Sequence, residues 1–107
     1  MSKAIRQGDI LIIPTSQIPA TAIEVEPENG RLIVARGEAT GHHHSFPHRR
    51  GAVLFRDDAS GGTLYVRATA PVMLEHQEHH ALTVLPGAHK VILQRVMSAG
   101  LVRAVAD

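Results

Sequence analysis

The chain has 107 residues, a formal net charge of +1 with histidine neutral, 44% hydrophobic and 20% charged residues, and no cysteine. This balance excludes a disordered polypeptide and provides no global field for a nucleic acid or a membrane surface. The missing thiols exclude disulfides, thiolate zinc sites, iron–sulfur clusters and a cysteine nucleophile.

Phe46, Phe55 and Tyr65 are the only aromatic residues, so a core must come from Val, Ile, Leu and Ala, which favours pleated sheets. Short apolar runs then alternate with turn signals along the chain. Residues 9–13 end at Pro14, and residues 21–25 stop before Pro27-Glu28-Asn29-Gly30, a hairpin-type turn sequence. Residues 31–36 are bounded by Gly37. Residues 52–56 lead through a polar turn at 57–62 into residues 63–68. Residues 71–75 precede a histidine cluster, residues 81–85 end at Pro86-Gly87, and alternation resumes from His89 to Val96.

These lengths and the period of two predict seven to nine short strands and little helix. The best helical window, roughly 96–105, is interrupted by Gly100. The expected fold is all-β, a small single-domain antiparallel β-barrel or two-sheet sandwich spanning residues 1–107. The N-terminal stretch lacks a signal-peptide apolar run and no segment is long enough to cross a bilayer, so a cytoplasmic protein without a membrane partner is expected.

All eight histidines fall between His42 and His89. Imidazole is the commonest protein ligand for first-row metals. On an extended strand residues two apart share a face, so His42 and His44 can reach one ion while His43 points away. His76 and Glu78 share a face in the same way, and a turn can bring His79 back toward His76. The candidate metal ligands are therefore His42, His44, His76 and His79. Glu38 and Glu78 are candidate carboxylate ligands or orienting partners, and candidate general bases if the site is catalytic. His43, His48 and His80 read as solvated loop residues.

Nitrogen and carboxylate donors without thiolate suit Zn²⁺, Fe²⁺, Ni²⁺, Mn²⁺ or Cu²⁺. Arg49 and Arg50, with Arg56, form a basic patch that is either solvated or an anchor for a small anionic ligand. The scarcity of aromatics for stacking disfavours nucleic acid. Apolar stretches at 10–13 and 91–93 predict a homo-oligomer that covers a strand edge or apolar face. Two functions stand open: a metal-dependent enzyme with an open coordination position, and a non-catalytic module whose histidines form a structural metal site, a subunit interface or a pH-responsive surface.

The order His42-x-His44, a gap, a further histidine and then Leu85-Pro86-Gly87-Ala88-His89 resembles the cupin arrangement over roughly residues 37–95. That resemblance implies a small cupin-like β-barrel with a histidine metal site. Pro47 and His48 stand where cupins carry a glutamate after the paired histidines. The motifs Arg36-Gly37-Glu38-Ala39-Thr40-Gly41-His42-His43-His44, His76-Gln77-Glu78-His79, Leu85-Pro86 and Gln94-Arg95 are similar to those of a group of small bacterial proteins of uncharacterised activity. In that group Gln-Arg is followed by Glu-Tyr, whereas here Val96-Met97 follows.

Overall fold

The computed structural model describes residues 4–36, 41–47, 51–98 and 101–104. β1 (Ile5–Gln7) and β2 (Ile10–Pro14) form a hairpin in which Gln7 faces Ile10. Its two-residue turn is Gly8-Asp9, with Gly8 at φ 59, a left-handed conformation that glycine adopts without a Cβ clash. β3 (Ile23–Glu24), β4 (Arg31–Arg36), β5 (His43–Pro47), β6 (Ala52–Asp57), β7 (Thr63–Ala68), β8 (Val72–Leu74), β9 (Leu82–Val84) and β10 (Gly87–Leu93) follow. The described residues end in a hairpin of β11 (Arg95–Ser98) and β12 (Leu101–Ala104). A strand pair therefore occupies the window that was the best candidate for helix. Among the described residues the only helical element is a 3-10 turn at Asp58–Ser60, and no helix is long and apolar enough to cross a membrane.

One layer is a six-stranded antiparallel sheet in the order β1-β2-β10-β7-β6-β3. The facing layer consists of the β4–β5 and β8–β9 hairpins, joined by a bridge between Ser45 and Glu75. The layers form a sandwich and do not close into a barrel, so of the two architectures expected from the sequence the sandwich is the one adopted. Ile10, Ile12, Leu54, Val66 and Val91 of the large sheet cluster with Leu32, Phe46, Val72, Leu74 and Val84 of the other layer. Along β2, β4, β6, β8 and β10 these positions alternate with more exposed ones, the pattern of a sheet buried on one face.

The turn sequence at 27–30 behaves differently from a simple hairpin. Asn29 and Gly30 both have positive φ, 48 and 75, as a type I′ turn requires, and Glu28 and Arg31 exchange backbone hydrogen bonds. The preceding strand β3 nevertheless pairs with β6, Ile23 opposite Arg56, and does not continue along β4. Pro27, which cannot donate to a ladder, sits where that continuation would run.

His89 is placed on the buried face of β10, opposite Val66, and its Nε2 donates to the Leu85 carbonyl at 2.7 Å. It is a packed structural residue outside the ring contacts that join His42, His44, His76 and His79. The turn after β6 is closed by Asp57, whose carboxylate accepts from Thr21 Oγ1 at 2.7 Å and Ser60 Oγ at 2.5 Å. The Ser60 and then the Thr21 hydrogen bond hold its carboxyl below the ordinary value of 3.8. The folded chain thus binds this proton less tightly than the unfolded chain. Its stabilisation is present above about pH 4 and is lost as pH falls through the depressed folded value. Urea midpoints between pH 6 and pH 2 should therefore fall less steeply for Asp57→Asn than for the wild type, from a lower starting value.

Candidate metal centre

The bulge in β4 and the strand that it borders set the stage. Pairing along β4–β5 shifts between Ile33 and Ala35, so that Ile33 faces Ser45 but Ala35 faces His44. Such a bulge locally twists the strand and re-aims its neighbours. On β5 the alternation of strand side chains sends His44 and Phe46 inward, both with no exposure, while His43 lies on the other face.

Beyond β8 the loop from Glu75 to Ala81 curls around the His76 ring. His76 Nδ1 accepts from the backbone N–H groups of Glu78 at 3.0 Å and His79 at 3.3 Å. This local bond brings the His76 and His79 imidazoles together, with ring centroids 4.5 Å apart. The His76 centroid is also 4.4 Å from that of His44 and 5.5 Å from that of His42, and His44 and His79 stack at 6.0 Å. The fold thus draws His42, His44, His76 and His79 into one cluster.

Two residues at this cluster were not singled out from the sequence. Gln7, at the end of β1, donates through Nε2 to the carbonyls of Leu74 at 2.9 Å and His80 at 2.8 Å. Two carbonyl acceptors fix the amide orientation, so Oε1 is the atom 2.8 Å from His44 Nδ1. Since Oε1 can only accept, His44 carries a proton on Nδ1 and turns Nε2 to the other side. There Asp9 waits: its Oδ1 is 3.2 Å from His44 Nε2, with side chains 1% and 0% exposed. Only the short β1–β2 hairpin, folded under the 75–81 loop, brings these two into reach. A polar Gln-Gly-Asp turn gives no periodic signal that would mark it as buried.

The remaining site residues are spread around this centre. His42 Nδ1 is 3.0 Å from Glu78 Oε1, and the Glu78 side chain is 61% exposed, at the rim. His43 turns toward Arg31 and Arg36; burial and then those two positive charges hold its imidazole below the usual value, neutral near pH 7. His80 is exposed and contributes its backbone carbonyl. Glu38, His48, Arg49 and Arg50 lie outside the described residues.

Among the described residues no three His, Asp or Glu side chains are arranged so as to hold a metal ion. His76 Nδ1 faces its own loop, and His42 Nδ1 faces Glu78. Donor types suited to a borderline transition metal are nonetheless concentrated here, with His79 Nε2 buried and without a hydrogen-bond partner among the described residues.

Fold and cluster together define a small all-β sandwich with a buried imidazole–carboxylate centre. The chain belongs to the family described as Domain of unknown function (DUF8820), which matches residues 6–94. That match contains the whole cluster from Gln7 to His79. No curated protein and no solved structure matches the chain.

Gln7 makes the three hydrogen bonds that tie β1, β5 and the 75–81 loop together. Replacing it by Leu removes the hydrogen bonds to the Leu74 and His80 carbonyls and to His44 Nδ1, a loss of about 2–4 kcal/mol in urea unfolding free energy. Replacing the exposed Gln77 by Leu should have a smaller effect, about 1 kcal/mol, since only the His43 N–H loses its partner.

Proposed function

We propose that this chain binds one divalent transition metal, with ligands drawn from His42, His44, His76 and His79. The observation that carries the reading is the packing of these rings against each other, with the wholly buried His44 presenting Nε2 toward the carboxylate of Asp9. A metal ion satisfies several of the nitrogens at once, and the donor set suits Zn²⁺, Fe²⁺, Ni²⁺, Mn²⁺ or Cu²⁺. Coordination asks for side-chain rotation of His42 and His76 away from Glu78 and the loop amides, with the strands kept in place.

A second reading, that the metal serves catalysis, is favoured by one observation. A cavity of about 290 Å³, lined by Arg31, His43, Ser45, Glu75, His76 and Gln77, shares His76 with the cluster. A small ligand can stand there beside the centre, with Glu78 the candidate base at the rim. The same reading takes the protein as a cytoplasmic homo-oligomer. Support comes from the lack of cysteine and from the edge strand β3, where Ile23 is 62% exposed. Sedimentation equilibrium at micromolar concentration should give a mass above the 11.5 kDa of one chain, and a monomer there would remove the oligomer from the reading.

Metal analysis of untagged protein should give about one ion per chain. His42→Ala/His44→Ala should weaken binding by at least about 100-fold, whereas His80→Ala should leave it unchanged. Because a coordinating imidazole must be unprotonated, affinity should drop steeply from about pH 7 to pH 5. Equal losses in the two variants, or a flat pH profile, would sink the histidine site.

A further inference from the structure

We propose that the β11–β12 hairpin of one chain docks on an apolar groove of a second copy, and the second copy's hairpin on the groove of the first, in a reciprocal dimer. The inference rests on the homo-oligomer of the preceding reading and gives it a surface other than the β3 edge.

The groove is an uncovered part of the core. The large sheet has six strands, whereas the β4–β5 and β8–β9 hairpins bring four to the facing layer among the described residues. Leu93 lies opposite the buried Ile10 and two residues beyond the buried Val91, so it belongs to the core-facing side of β10. It is nevertheless 41% exposed. Leu64, opposite Val91, is only partly buried on the same face. With Val34 of β4 these residues line a groove of about 450 Å³. Among the described residues β4 pairs with β5 alone, and its outer edge carries no further strand. Gly61 and Gly62 also line the groove, and a Cβ at either would meet nothing within 4 Å.

The hairpin has the matching need. β11 and β12 form a two-stranded sheet of their own, joined to no other strand among the described residues. Such a ribbon is marginal in water without a further strand or layer to support it. Its sequence is rich in apolar residues, Val96, Met97, Leu101 and Val102 among them. The family match ends at residue 94, so the hairpin is an addition to the matched domain. Two strands are also what the four-stranded layer lacks to match the six-stranded sheet.

Connectivity decides whose groove is filled. Only Gln94 separates β10 from β11, and its N–H donates to the Asp9 carbonyl at 2.7 Å, one step beyond the Leu93–Ile10 pair. A tight reversal takes about two free residues, and none is free here. The hairpin therefore leaves past the end of β10 and does not fold back over Lys90 to Leu93 of its own chain. The same groove on a second copy has no such tether. Because each copy offers both a hairpin and a groove, the exchange closes on a two-fold axis.

The chain has no cysteine, so a single introduced thiol takes a spin label at one position. Unlabelled Ser98→Cys chain carrying a nitroxide is mixed with ¹⁵N-labelled wild type and allowed to exchange, so that only contacts between chains broaden the observed amides. The losses should centre on Gly62 to Leu64 and Lys90 to Leu93, and fade toward Ala68 and Gly87 at the far end of the same strands. In sedimentation equilibrium, Leu93→Lys should raise the dimer dissociation constant by more than about 10-fold, the effect of losing one well-buried interface side chain. Leu85→Lys, also exposed but outside the groove, should leave it unchanged. Should Leu93→Lys fail to fold, the labelled mixture alone decides. A dimer whose losses centre elsewhere or nowhere overturns the inference while the oligomer stands. A wild-type mass of one chain overturns both.

Discussion

Much of this molecule hangs on one side-chain amide. Gln7 bonds simultaneously to a histidine on β5 and to two carbonyls flanking the loop that carries the other cluster residues. These partners belong to the layer facing the sheet in which Gln7 itself lies. A buried amide satisfied on both of its ends stabilises by its bonds, and also removes the alternative of leaving those carbonyls and that imidazole unpaired. It dictates which nitrogen of His44 is protonated, and so which one is available to Asp9. The identity of the site and the seam between the two layers are thus set by the same interaction.

The sandwich around this seam has few resources. With three aromatic residues in the chain, its core is a set of aliphatic side chains that interdigitate across the layers around Phe46, and none of them supplies a large anchoring surface. Polar residues are correspondingly prominent in the interior: Gln7, Asp9, His44, Ser45, Asp57 and His89 are all buried. Burying these groups is tolerable only where each finds partners. Asp57 does so through Thr21 and Ser60, and His89 through the Leu85 carbonyl. Ser45 receives the Arg31 Nε–H at 3.0 Å while its backbone pairs with Glu75. These bonds knit turns and layers. Asp9 and His44 bring two ionisable groups face to face inside the molecule, 3.2 Å apart.

The two faces of β5 give the centre its asymmetry. His44 points into the sandwich, where the ring cluster and Asp9 lie. His43 and Ser45 point to the opposite side, where Arg31 and Glu75 form a pair across the small cavity. His76 belongs to both environments, since it packs on His44 and also lines that cavity. One ring therefore connects a buried, charge-sensitive centre to a polar, solvent-reached recess. Burial, and then the positive charges of Arg31 and Arg36, hold the His43 imidazole below its usual value on that outer side.

Periodicity and punctuation in the sequence determined the strand class, the positions of most strands and the set of histidines worth attention. The period of two records which side chains of a one-face-buried strand meet the core, and Pro-Gly or Asn-Gly steps record where the chain reverses. Local chemistry of this kind is legible because it acts between neighbours in the chain. Partner choice is not local. Whether β3 would follow the Asn29-Gly30 turn onto β4 or pair with β6, and whether residues 95–104 would form a helix or a hairpin, depended on edges supplied by distant segments. Asp9 and Gln7 were invisible for the same reason: a short polar turn near the N-terminus becomes a buried part of the cluster only when a loop some seventy residues later closes over it. Tertiary structure alone decided that the four histidines share their space with a carboxylate, because only the packing of the β1–β2 hairpin beneath that loop brings Asp9 within 3.2 Å of His44.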